Sequence, residues 1–181
     1  MNRLRGAMEN HPLIVTAIML AAVCVHGLLV RFRNYPAPVE DLLTNAKDGA
    51  GVSIALGLAS VSAIAAGFAG AIIVFGISAD TEIMRKFRLR TAKALRSNWI
   101  SVIGSSFASA VVSLVAAVFV AAEWFALAAP TLTFGLLLLI HGLVRMLWLF
   151  GVLLEIVQLQ DDRTDRRART RSATDIFRGA A

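Results

Sequence analysis

Residues 97–122 read SNWISVIGSSFASAVVSLVAAVFVAA, 26 positions without a single Asp, Glu, Lys or Arg. An α-helix rises about 1.5 Å per residue, so about 20 such residues cross a hydrocarbon core about 30 Å thick. This stretch is long enough to span a bilayer, and it has company. Residues 49–79 form a charge-free run of 31, more than the thickness demands, so its helix must tilt or continue beyond the lipid. Residues 12–30 add 19 mostly apolar positions, opened by Pro12, which suits a first helical turn, with Asn10 as the expected N-cap. A fourth stretch, 131–157, is apolar but holds His141, Arg145 and Glu155. The expectation is an all-α polytopic membrane protein with transmembrane helices at 12–30, 52–77, 99–122 and 131–157, arranged as two hairpins over residues 1–160. A basic loop, 80–98, and an Arg-rich tail, 161–181, complete it.

The whole composition agrees. Of 181 residues 57% are hydrophobic and 17% charged, with a mean hydropathy of +0.71, which excludes an ordinary soluble domain, a disordered chain and a collagen-like repeat. Cys24 is the single cysteine, so no intramolecular disulfide can form. The first apolar stretch is longer than a secretory signal core, lacks a small-x-small cleavage site and runs into Arg31, Phe32 and Arg33; it reads as an uncleaved signal anchor.

Orientation follows from Lys and Arg in the short loops. With the N-terminus inside, fourteen of the eighteen cations are cytoplasmic: Arg3 and Arg5, then Arg85, Lys86, Arg88, Arg90, Lys93 and Arg96, then Arg163, Arg166, Arg167, Arg169, Arg171 and Arg178. Both termini are expected in the cytoplasm. Trp99 and Trp124 fall at opposite ends of the third span, where aromatic belts lie.

Two spans carry rows of small residues. Ser101, Ser105, Ser109, Ser113, Ala117 and Ala121 repeat every fourth position in the third, and Ala55, Ala59, Ala63, Gly67 and Ala71 do so in the second, with Ser62, Ala66 and Gly70 beside them. Small residues let two backbones approach closely, which matters in lipid because helices there associate by packing and hydrogen bonding. An every-fourth row drifts by about 40° per step on a helix of 3.6 residues per turn, so only three or four members can share one contact. These rows are expected either to pack the second helix against the third or to line a wet path through an oligomer.

The fourth span carries the ionisable cluster at membrane depth. His141, Arg145, Trp148, Val152 and Glu155 lie within a wedge of about 80° on one face. An arginine in mid-span costs about 2.5–3.5 kcal/mol on insertion scales, so Arg145 should face the bundle or snorkel to headgroups. Glu155 shares its face but lies about 15 Å further along the axis, too far for a pair within one helix. The strings from His26 to Arg31 and from His141 to Arg145 resemble each other with one residue deleted, too little to establish an inverted repeat. His26 is expected as a hydrogen-bonded bundle residue.

The loop from Asp80 to Asn98 has the pattern of an amphipathic helix lying on anionic headgroups, with Arg85, Lys86, Arg88, Arg90, Lys93 and Arg96 as lipid contacts. Nucleic acid is not expected as a partner, because these cations stand where the topology rule already requires them. There is no phosphate-binding glycine loop, no His-Glu-x-x-His helix, no cysteine pair and no glycine-flanked nucleophilic serine, so neither an enzyme nor a metal or cofactor site is expected.

The leading expectation is a small bacterial inner-membrane protein acting as a homo-oligomer, as a pore, channel or membrane-perturbing effector. In outline the chain resembles the small multi-span effectors of bacterial abortive defence systems. The alternatives are an anchoring or assembly subunit of a larger membrane complex, and a transporter using Arg145 to hold an anionic substrate.

Overall fold

The computed structural model describes the backbone of residues 12–33, 35–46, 49–78 and 82–178, and side chains within 14–33, 35–46, 49–74, 99–155 and 157–166. Among the described residues five helices follow in order: α1 Pro12–Arg33, α2 Pro38–Thr44, α3 Ala50–Ser78, α4 Glu82–Ala121 and α5 Phe125–Arg178. No strand occurs among the described residues. Four helices, α1, α3, α4 and α5, are long and apolar enough to cross a membrane, so the fold is an all-α polytopic one with four spans. They are called spans one to four below.

Two spans are parts of longer helices. Helix α4 has 40 residues and runs unbroken through 82–98 into the third span, and α5 has 54 and runs on through most of the tail. The basic loop is thus continuous with span three instead of forming a separate helix. No glycine or proline interrupts 82–98, and once a helix is nucleated each added residue gains a hydrogen bond.

Helix α5 begins at Phe125, ahead of the expected start at 131. The reason lies in the turn before it. Glu123 has a positive φ of 60°; its amide donates to Val120 O at 3.0 Å, while that of Trp124 donates to Phe119 O at 2.8 Å. That bond pair is the Schellman cap, with the left-handed position filled by Glu123 where glycine is usual. The rings of Phe119 and Trp124 lie 6.0 Å apart and close its apolar contact. Trp124 O then accepts from the amides of Leu127 and Ala128, and the next helix has begun. Pro130 falls inside it, where the missing N–H forfeits one bond, that to Ala126 O. Spans three and four are consequently an antiparallel hairpin on a three-residue turn, and both helical extensions leave the bundle at its opposite end.

The core joins spans two, three and four. Its buried members on α3 include Ala55, Ala59, Ser62, Ala65, Ala66, Ala69 and Ile73, and on α4 Val102, Ser105, Ser106, Ser109, Ser113, Ala116, Ala117 and Val120. Within each set runs a series that steps alternately by four and three, from Ala55 through Ala59, Ser62, Ala66 and Ala69 to Ile73 and from Val102 through Ser106, Ser109, Ser113 and Ala116 to Val120, which keeps a seam on one face of an undertwisted helix pair. Of the rows read from the sequence, the one on span three stays in the contact at Ser105, Ser109, Ser113 and Ala117, whereas the one on span two leaves it after Ala59. Ala59 is buried, but Ala63 and Gly67 are exposed, and Ser62 and Ala66 hold the interface in their place.

Span one stands apart. Val23 is its one buried residue among those described, and its main contact is with span four, not with its hairpin neighbour. Between spans one and two the chain forms α2, a helix not expected from the sequence. Pro38 starts it and Glu40 and Asp41 occupy its first turn, both favourable at a helix N-terminus. Leu43, 2% exposed, packs among Ala55, Ala116, Val120, Ala128 and Leu132 and closes that end of the bundle.

Candidate functional site

Three spans meet at Ser109. Its Oγ donates to Gly135 O of span four at 2.6 Å and lies 2.8 Å from Ser62 Oγ of span two. Ser62 also donates to Leu58 O at 2.7 Å. A hydroxyl carries one hydrogen, so with Ser109's committed to span four, Ser62's is shared between Ser109 and its own helix. Ser62, Ser109 and Ser113 are all fully buried. Buried hydroxyls without a bond are costly, and this arrangement spends them in tying helices together.

Glycines on span four make room for the serine row. A Cβ on Gly135 would lie 2.8 Å from Ser113 Oγ, and one on Gly142 would lie 2.8 Å from both Ser105 Oγ and Ser106 Oγ. The two glycines are seven residues apart, two helical turns, and so share a face. Ser105 and Ser106 turn their hydroxyls back onto Val102 O, the usual recourse of serine inside a helix. Ser113 Oγ is buried with no bonding partner in the structure. All of Ser105, Ser109 and Ser113 therefore face neighbouring helices of the same chain.

Arg145 sits on the shoulder of this contact. Three residues beyond Gly142, it is rotated about 60° from the glycine line and is half-buried. Its Nη1 donates to Ser101 Oγ at 3.0 Å. Ser101 is two residues, about 3 Å, inside the Trp99 end of span three, so the guanidinium lies at that end of the bundle and not at its middle. His141, one turn deeper, has Nε2 buried without a partner, as is Trp99 Nε1. Glu155 is exposed, and the structure does not bring it to Arg145. The side chains of Arg85, Lys86, Arg88, Arg90, Lys93 and Arg96 lie outside the described residues, as do Arg3 and Arg5 and, in the tail, the side chains of Arg167, Arg169, Arg171 and Arg178.

His26 does not enter the bundle. It is exposed and meets Tyr35 edge-on, ring centroids 5.9 Å apart at 87°. Its neighbours open a feature invisible in the sequence, a cleft of about 890 Å³ between span one and spans three and four. Arg31 and Glu40 line this cleft together with Leu20, Val23 and Phe134. The local signal for it was only a pair of opposite charges nine residues apart at the end of span one.

The class defined by this fold is that of a small multi-pass helical membrane protein. Compared with protein families, with curated proteins and with solved structures, the chain matches none.

Proposed function

We propose that the chain is a non-enzymatic anchoring or assembly subunit in a bacterial inner membrane, with both termini cytoplasmic. One observation carries this reading: Ser105, Ser109 and Ser113 are buried within a single chain, set against Gly135, Gly142 and Ser62, which takes them out of a path between copies. Arg145 and Ser101 occupy one end of the bundle, where an arginine reaches headgroups at little cost. The basic helical extensions of α4 and α5 leave from that end, and the positive-inside rule, with fourteen of eighteen cations on that side, favours the cytoplasm for it. There they meet anionic headgroups and a cytoplasmic partner.

A homo-oligomeric pore or membrane-perturbing effector is the second reading, favoured by the outer face of span two. A Cβ added to Gly57 or Gly67 would meet no atom within 4 Å, and Ala63 is exposed beside them, the close-approach surface that a second copy would use. Ion and dye efflux from liposomes separates the two. Vesicles should stay tight with the full chain, and deletion of 161–181 should release the bound partner. Efflux that Arg145→Ala alters would sink the anchoring reading and establish the pore.

A further inference from the structure

The cleft beside span one has the shape of a lipid site. Its volume, about 890 Å³, lies within the roughly 300–1,000 Å³ typical of small-molecule sites. Leu20, Val23 and Gly27 of α1 form one wall, and Val112 and Phe134 contribute to the other. The charged groups gather at one end, Arg31 in the last turn of α1 and Glu40 in the first turn of α2. From Leu20 to Arg31 the helix climbs about 16 Å at 1.5 Å per residue, the depth of one leaflet of a core about 30 Å thick. The cleft therefore runs from the bilayer midplane to one surface, largely apolar within, with His26, Thr131 and Thr133 also on its lining, and charged at the mouth. An apolar gap left empty would forfeit dispersion contacts along both walls, and acyl chains are the medium at hand to fill it.

The mouth selects the headgroup. Arg31 and Glu40 line the same opening, yet among the described residues neither side chain takes part in a hydrogen bond or ion pair. A cation and an anion, both without a partner among the described residues, match a headgroup that carries both signs. A phosphate accepts from a guanidinium, and a primary ammonium donates to a carboxylate. A purely anionic headgroup would satisfy Arg31 and be repelled by Glu40, whereas a quaternary ammonium has no N–H to donate. We propose that this cleft binds one phospholipid of the phosphatidylethanolamine type. Its acyl chain lies between Leu20 and Phe134, its phosphate on Arg31 and its ammonium on Glu40.

Native mass spectrometry of the full chain in detergent tests this, with phosphatidylethanolamine, phosphatidylcholine and phosphatidylglycerol of identical acyl chains as probes. One phosphatidylethanolamine per chain should be retained about fivefold better than either competitor, the size of one charge contact near a membrane surface. Glu40→Gln should abolish that preference, and Arg31→Gln should weaken retention of all three lipids. Arg33→Gln, in the same helical turn but outside the cleft, should change nothing. Equal retention of the three lipids, a preference for phosphatidylglycerol, or equal effects of Arg31→Gln and Arg33→Gln would each overturn the proposal. Cys24 lines the cleft and is the only thiol, which supplies a readout on the unaltered chain. Phosphatidylethanolamine should slow its alkylation by a maleimide in detergent more than the other two lipids do, and identical rates with all three would also overturn the site.

Discussion

Spans one and three are equally apolar, both with a mean hydropathy of 2.1 over their most apolar stretch, yet among the described residues eight side chains of the third are buried in the bundle and only Val23 in the first. In water, such apolarity would have driven both into a core. In lipid the tails are as apolar as leucine, so hydropathy decides only whether a helix crosses. What decides packing is how closely two backbones can come. Span three offers serines and alanines on a seam that steps by four and three, and span four answers with Gly135 and Gly142. Span one exposes Ile14, Ile18, Leu20, Val25 and Leu28, bulky side chains that hold neighbours away, and the cleft is the result.

The contrast can be broken by making one substitution in both places. Gly142→Ala puts a methyl 2.8 Å from two hydroxyl oxygens and should destabilise the bundle by about 1–3 kcal/mol, as overpacking does. Unfolding in mixed micelles reads the loss, and Ser105→Ala with Ser106→Ala in the same chain should recover most of it. Without that recovery, the close contact would not be the cause.

Ser109→Ala comes next. It removes the bond to Gly135 O and the one to Ser62, and membrane hydrogen bonds measured by double-mutant cycles average about 0.6 kcal/mol with a maximum of about 1.7. The loss should fall in that range, and a cycle with Ser62→Ala should show coupling between them. Additive losses would mean that the 2.8 Å contact contributes nothing of its own.

The hairpin turn should respond in the opposite direction. Glu123 holds a left-handed conformation that costs a residue with a Cβ about 1–2 kcal/mol, so Glu123→Gly should stabilise spans three and four by about 1 kcal/mol. An unchanged or lower stability would show that the Glu123 side chain contributes more than its backbone strain costs.

The smallest effect belongs to span one. Nothing lies within 4 Å of a Cβ built on Gly27, so Gly27→Ala should leave stability unchanged or raise it by less than about 1 kcal/mol, the helix-propensity difference. A loss comparable to that of Gly142→Ala would show that span one packs as tightly as span three, and would erase the contrast.

Much of the candidate site was visible locally and wrongly grouped. His141, Arg145 and Glu155 do share a helical face, but only Arg145 finds a partner in the bundle, because the contact with span three covers one shoulder of that face and Glu155 lies beyond it. Likewise Ala63 and Gly67 belong to a genuine row that rotates off the seam. Such rows are properties of one helix, whereas a seam is a property of two.

The four spans, their approximate limits and the absence of a soluble core were determined by the sequence alone, because membrane crossing depends on the length and charge of a single segment, and these are additive along the chain. Which small residues touch, that Leu43 caps the bundle, that Arg145 ends on Ser101, and that span one leaves a cleft mouthed by Arg31 and Glu40 were decided only by the tertiary structure. Those facts depend on helix rotation and separation, which change with every partner's shape and which no single segment encodes.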